Sequence, residues 1–222
     1  MAQARPEALP PQSRPVGQLV AETLRLYGAR FWRALPLGIA IAVADQFVRD
    51  LSFAAKVLVL IGFAPFLSLT FAAAAVLVSG RAPALRGWLL AVAVGTVAFV
   101  PAAFLLPWFA LLAFAWLAFV GLVVPVVVIE GVGPRDAFGR AVRLAQADYI
   151  HALGSLATLG ILFFLTRLMM ALLLRDQSEQ TERIAVFLAD LVISLILFLG
   201  AALLYFDQKA RLESPSRDRK ES

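Results

Sequence analysis

The longest uncharged stretch of the chain limits the kind of protein that it can form. The 43 residues from Gly87 to Ile129 contain no acidic or basic side chain, and Arg86 and Glu130 bound them. One helix that crosses a bilayer takes about 20 apolar residues, so this stretch holds two spans with a turn between them. We predict the turn at Pro107-Trp108, because proline lacks a backbone donor and tryptophan favours the headgroup level. The chain is therefore predicted to be an all-α, multi-span membrane protein.

Charged residues and turn signals divide the rest of the chain into further apolar segments. We predict a polytopic helix bundle with six transmembrane helices, at about 34–48, 57–78, 88–107, 109–129, 150–174 and 184–206. The membrane domain covers 16–209, between an amino-terminal arm, 1–15, and a carboxyl-terminal tail, 210–222, both polar enough to favour disorder. The composition agrees with this class, because only 16% of the residues are charged whereas soluble domains carry about 25%.

Two segments have the periodicity of amphipathic helices but are too polar to span a membrane: 16–32 and 134–147. We predict that both lie in the headgroup plane on the cytoplasmic side. The residues of the second segment predicted to face the acyl chains are Phe138, Val142 and Ala145. The basic residues predicted to face the headgroups are Arg25, Arg140 and Arg143. Asp207, just past the sixth span, is a candidate partner for one of the last two.

The distribution of basic residues assigns the orientation. Of the 20 lysine and arginine residues, 15 fall in segments on the amino-terminal side, four in the opposite loops and one inside a span. Basic loops stay in the cytoplasm, so we predict that both termini are cytoplasmic. The net charge of +5 then indicates contacts with anionic lipid headgroups rather than with nucleic acid.

A weak internal repeat relates the two amphipathic segments. RLYGARFWRAL, at 25–35, aligns with RLAQADYIHAL, at 143–153, with an offset of 118 residues. In each copy two spans follow the amphipathic helix, which favours a parallel duplication around the middle hairpin. Chance similarity in a sequence rich in alanine, leucine and arginine is the alternative.

The same segments carry a resemblance to a known family. The helix GPRDAFGRAVRLAQADY follows a span that ends VVPVVVIEG, and the last span ends LLYFDQKAR. Together they resemble a bacterial six-helix family that includes the membrane domain attached to glycerophosphoryl diester phosphodiesterases and stand-alone integral membrane proteins of unassigned function. The resemblance covers roughly 16–211 and implies the six-helix fold. It implies no catalytic activity, because we expect this chain to lack a phosphodiesterase domain.

Signatures of catalysis and of metal or cofactor binding are missing from the sequence. The chain has no cysteine, a single histidine, His151, and no nucleophile elbow, phosphate loop or dinucleotide motif. We therefore predict no catalytic residue, no metal site, no cofactor and no enzyme activity. An intramembrane enzyme with His151 as a base is a third hypothesis, and a polar side chain at the headgroup level is the favoured interpretation of this residue.

Three charged residues fall within the predicted spans: Asp45, Arg167 and Asp190. Charges at this depth are costly and are expected to be paired or to face a cavity. Arg167 and Asp190 lie at similar distances from the loop that joins the last two spans, so we predict that they pair. Asp45 is predicted to lie closer to the membrane surface than Arg167 and Asp190. There it either joins their pair as a third member or contacts interfacial water alone. The interpretation that we favour is a buried ion pair that fixes the helix register, and the alternative is a relay or a polar substrate site.

These observations favour a non-enzymatic protein of the bacterial inner membrane with a structural, accessory, or lipid- or partner-binding role. The alternative is a small transporter or channel subunit that uses Asp45, Arg167 and Asp190. The expected partners are membrane lipids and either a membrane protein or a second copy of the chain.

Overall fold

The computed structural model describes residues 10–214 and shows an all-α bundle. Residues 10–214 are 86% helical and contain no strand. Within this described range, six helices are long and apolar enough to cross a membrane. The predicted fold class, a multi-pass helical membrane protein, is confirmed. The arm and the tail predicted at the two ends lie mostly outside the described residues.

Ten α-helices make up most of the described chain. They are α1 (Val16–Ala29), α2 (Phe31–Ala34), α3 (Ile39–Val48), α4 (Phe53–Ser79), α5 (Leu85–Leu105), α6 (Ala110–Val120), α7 (Val123–Glu130), α8 (Pro134–Ala147), α9 (Tyr149–Leu174) and α10 (Glu179–Glu213). Two short 3₁₀ segments, Pro11–Ser13 and Leu35–Gly38, precede α1 and α3. The first span combines α2, the second 3₁₀ segment and α3, and the fourth combines α6 and α7.

Each predicted span overlaps one of the six spanning helices. The third predicted span, 88–107, runs two residues past the end of its helix, and the fourth, 109–129, begins one residue before its helix; several helices are longer than predicted. The largest difference is α10, with 35 residues where 184–206 was predicted as the span. At about 1.5 Å per residue α10 is much longer than the roughly 30 Å hydrocarbon core. Its length exceeds what one crossing of the hydrocarbon core needs, and the first residues of the predicted tail continue it as helix up to Glu213.

The main apolar core lies in the half of the bundle next to the two described ends. Valines of α7, alanines of α4 and α5, and leucines of α10 are buried there. Gly95 of α5 allows close packing, since an added Cβ would lie 2.7 Å from both Ser68 of α4 and Val124 of α7. Gly38 has the same role between the first span and α10, because a Cβ there would overlap the backbone carbonyl of Leu191.

Both amphipathic helices form, and both pack on the end of the bundle. In α8, Ala137, Ala141, Leu144 and Ala145 are buried, and α8 contacts α6, α7 and α10. The prediction that Ala145 faces acyl chains is wrong, because protein covers this face of the helix. In α1, Leu19 and Thr23 are buried in the same way, against α9 and α10.

Candidate functional site

The structure brings together the three charged residues that the sequence places within spans. Arg167 of α9 donates a hydrogen bond through Nη2 to Oδ1 of Asp45 on α3. Its Nε lies 3.5 Å from Oδ1 of Asp190 on α10. One guanidinium therefore serves two carboxylates from two other helices, including the Asp190 partner that the hairpin geometry predicts.

Two further residues extend this group toward the loops. Nε of Arg49 lies 3.9 Å from Oδ2 of Asp45, and Nη2 donates to Glu182 at 3.2 Å. We call these five residues the Arg167 cluster: Asp45, Arg49, Arg167, Glu182 and Asp190. Sequence reasoning used Arg49 only as the boundary of a span. Its spacing of four residues from Asp45 on a helix was the signal that could have indicated the pair.

The carboxylates of the Arg167 cluster are incompletely satisfied. The side chain of Asp190 is fully buried and that of Asp45 is 9% exposed. Within residues 10–214, no donor forms a hydrogen bond with Oδ2 of Asp45 or with either carboxylate oxygen of Asp190. Buried carboxylate oxygens without hydrogen-bond donors cost free energy, so a further donor or a cation at these oxygens would stabilise the cluster.

A cavity of about 360 Å³ lies beside the cluster and is lined by residues of α3, α4, α5, α6, α9 and α10. Asp45 and Arg167 are the charged residues in its lining, and the rest of the lining is aliphatic, aromatic or glycine. Along α9 the lining extends from Leu156 to Arg167, or about 16 Å at 1.5 Å per residue. The volume is that of a small-molecule site.

Six phenylalanines give the cavity aromatic walls: Phe71, Phe99, Phe114, Phe163, Phe164 and Phe198. Gly160 of α9 allows Phe114 of α6 to pack against it, because an added Cβ would overlap the ring. The guanidinium carbon of Arg167 lies 5.7 Å from the centre of the Phe163 ring. One end of the cavity is therefore charged, and the remainder is apolar and aromatic.

A second polar group lies at the opposite end of the bundle, around Asp207 of α10. Asp207 is fully buried, with Nη1 of Arg14 at 2.9 Å and Nε2 of His151 at 3.7 Å. The predicted partners of Asp207, Arg140 or Arg143, are therefore wrong. Sequence reasoning placed Arg14 in a disordered arm, but Arg14 and the segment Pro11–Ser13 pack on α10. The side chain of His151 is also buried within the bundle.

The neighbouring contacts attach α8 and α9 to α10. Arg211 donates to Oδ2 of Asp148 at 2.7 Å, and Gln208 donates to the Asp148 carbonyl at 3.0 Å. Tyr205 donates to Glu130 at 2.7 Å, and Arg140 is 3.3 Å from the same carboxylate. Arg143 is exposed.

Arg25, the third basic residue predicted to face headgroups, is 65% exposed and pairs with Glu22 on its own helix.

The motifs that carry the family resemblance supply most of this second polar group. VVPVVVIEG contributes Glu130, the α8 motif contributes Arg140 and Asp148, and LLYFDQKAR contributes Tyr205, Asp207, Gln208 and Arg211. Their side chains join α7, α8 and α10, and the start of α9, at one end of the bundle. No protein-family model, no curated protein and no solved structure matches the chain.

Proposed function

We propose that the chain is a non-enzymatic integral membrane protein that binds a lipid-like amphiphile inside its helix bundle. The observation that carries this proposal is the cavity of about 360 Å³ with apolar walls and with Asp45 and Arg167 at one end. Such a lining suits a molecule with an apolar body and one polar group. It also specifies the lipid-binding role that the sequence favours.

We further propose that the membrane is the inner membrane of a bacterium and that both termini are cytoplasmic. The 15 basic residues on the terminal side, against four on the other, support the orientation. Membership of the six-helix family that the sequence resembles is part of the same proposal. Its support is that the resembling motifs form one contiguous set of contacts around Glu130, Asp148 and Asp207.

The surroundings of His151 support a role without catalysis. A Ser–His pair needs a hydrogen bond from the serine to the imidazole. Ser155 lies one turn after His151, but in the described part of the chain its hydroxyl forms no hydrogen bond. Asp207, which faces His151, is already paired with Arg14. His151 is therefore a packing residue of the α9–α10 contact in this proposal.

A second candidate function is transport, as a small transporter or channel subunit. The observation in its favour is that the cavity reaches Asp45 and Arg167. The apolar walls are poorly suited to a path for water or inorganic ions, because such paths are lined by polar groups. Of the transported classes, an amphiphile fits these walls best.

Co-purification tests the proposed function. We expect native mass spectrometry of the protein extracted from its own membranes to detect a bound amphiphile. Ala102→Leu places a larger side chain of α5 in the cavity, which leaves less space for a ligand, and should reduce the bound fraction. Ala93→Leu, on the exposed face of α5, is the matched control and should leave the bound fraction unchanged. Equal occupancy in both variants, or no bound amphiphile in the parent protein, would refute the proposal.

A further inference from the structure

Arg167 is the accessible charged group at the polar end of the cavity. Its side chain lines the cavity and is 29% exposed. Within residues 10–214 its guanidinium donates one hydrogen bond, from Nη2 to Oδ1 of Asp45. An arginine side chain has five N–H donors in a fixed planar arrangement. Most of the donors of Arg167 are therefore free for an acceptor in the cavity.

The carboxylate oxygens at this end cannot be reached by a ligand. Oδ1 of Asp45 already accepts from Arg167, and Oδ2 has almost no accessible surface. Both carboxylate oxygens of Asp190 are as inaccessible, and Asp190 does not line the cavity. The other lining residues have no polar side chain. A ligand with an N–H or O–H group would leave that donor unpaired in the cavity, which costs free energy.

The charges near Arg167 disfavour an anionic head group. Four groups of the Arg167 cluster balance each other in charge: Asp45, Arg49, Arg167 and Glu182. Asp190 adds no charge when it is protonated and one negative charge when it is ionised. In both states an anionic ligand would leave an excess of negative charge beside apolar walls, where like-charge repulsion and lost hydration are unfavourable. An uncharged head group has neither cost.

We propose that the cavity binds a single-chain lipid ester, whose carbonyl oxygen accepts a hydrogen bond from Arg167 and whose chain lies among the phenylalanines. An ester group has acceptors, no donor and no charge. This inference rests on the proposed function, since it assigns the chemical class of the amphiphile. The length of about 16 Å along α9 and the volume of about 360 Å³ accommodate one medium-length alkyl chain.

Four photoreactive probes of similar length test the head-group selectivity: methyl dodecanoate, dodecanoate, dodecylammonium and tetradecane, each with a diazirine near one methyl end. For the two ionisable probes this is the end away from the charge. The purified chain in nanodiscs of zwitterionic lipid is labelled at a pH at which both are ionised. Labelling of the cavity residues Leu122 and Leu156 is divided by labelling of Ile161, which is 64% exposed on α9. This ratio removes differences in how the probes partition into the bilayer.

We expect the ratio for methyl dodecanoate to exceed that of each other probe on the order of tenfold. A hydrogen bond to a charged donor contributes roughly this factor relative to tetradecane. Dodecylammonium finds no accessible acceptor in the cavity, and dodecanoate adds an unbalanced charge.

Two isosteric variants test the charge argument. Asp45→Asn keeps an acceptor oxygen for Arg167 but removes the balancing charge, so the ratio for dodecanoate should rise several-fold. The ratio for methyl dodecanoate should stay near its value in the parent protein. Asp50→Asn is the matched control, because its side chain is 78% exposed and lies outside the Arg167 cluster. All four ratios should be unchanged in this control.

The outcomes separate the inference from the proposed function. A larger ratio for dodecanoate or dodecylammonium than for the ester would overturn the ester assignment and keep an amphiphile site. Equal ratios for the ester and tetradecane would overturn the hydrogen bond to Arg167. A dodecanoate ratio that does not rise in Asp45→Asn would overturn the charge argument. Labelling of the cavity by none of the probes would overturn both proposals. Since the parent protein alone ranks the four probes, the main result does not depend on the folding of a variant.

Discussion

Arg167 is the residue on which the polar site of the spanning region depends. Its side chain is 29% exposed, whereas Asp45 and Asp190 are almost or fully buried. The guanidinium links α9 to α3 through one carboxylate and to α10 through the other. Removing one carboxylate therefore leaves the arginine with a partner, while removing the arginine leaves two buried carboxylates without their main cation.

Arg167→Leu should therefore destabilise the protein more than Asp190→Leu. Loss of one partner from a buried ion pair costs about 3–5 kcal/mol, and we expect the Arg167 change to lie in that range and the Asp190 change below it. Thermal unfolding of the purified protein in detergent, followed by circular dichroism, gives the order. Arg175→Leu, at an exposed position on the loop after α9, is the control and should change stability by at most about 0.5 kcal/mol. An equal loss for the Arg167 and Asp190 variants would contradict the shared guanidinium.

Two of the buried polar contacts differ in whether the sequence alone predicts them. The pairing of Arg167 with Asp190 could be predicted from the sequence, because the two residues lie at similar distances from the loop that joins their helices. The partner of Asp207 could not be predicted, because Arg14 is 193 residues away in the sequence, in a segment whose composition is typical of disorder. Such a segment becomes ordered only where the fold offers a buried carboxylate, and this depends on how the helices assemble.

At the scale of elements, α10 organises the bundle. It contacts α1, α3, α4, α8 and α9. It carries Asp190 toward one end and Asp207 toward the other, so both polar groups use the same helix. The long apolar segment predicted the existence of this helix. Its charged extension to Glu213 lies outside any hydrophobic pattern, which explains why the predicted end was too early.

Gly38→Ala should weaken the contact between the first span and α10. The added methyl group would overlap the Leu191 carbonyl, and backbone cannot move aside as a flexible side chain can. Overpacking of this kind costs about 1–3 kcal/mol. Gly62→Ala on α4 is the control, since nothing lies within 4 Å of the added atom, and it should cost no stability. Thermal unfolding in detergent measures the stability of both variants. A Gly38 variant as stable as the Gly62 variant would show that the first span and α10 do not touch.

At the scale of the whole molecule, the two amphipathic helices occupy equivalent places. Arg30 and Asp148 are separated by the repeat offset of 118 residues, and each interrupts the helical backbone just before a span begins. Both α1 and α8 then pack on α10. This correspondence favours duplication over chance. Amphipathic periodicity predicted both helices, but it could not distinguish an apolar face that meets lipid from one that meets the bundle.

The topology of the whole chain gives the last prediction. The chain contains no cysteine, so single-cysteine variants report one position each without a background. Asp176→Cys, at an exposed position between α9 and α10, should react with a membrane-impermeant maleimide in intact cells. Arg81→Cys, exposed between α4 and α5, should react only after the membrane is permeabilised. The physical reason is the excess of basic residues on the side that holds Arg81 and both termini.

Arg81→Cys is also the internal control for Asp176→Cys, because both replace exposed charged residues in loops and differ only in the predicted side. Reaction of both in intact cells would mean that the label crosses the membrane. Protection of Asp176→Cys with reaction of Arg81→Cys would reverse the orientation of the bundle. In that case the Arg167 cluster would lie toward the cytoplasm, and the amphiphile would reach the cavity from there. The expected result instead places the charged end of the cavity toward the non-cytoplasmic side.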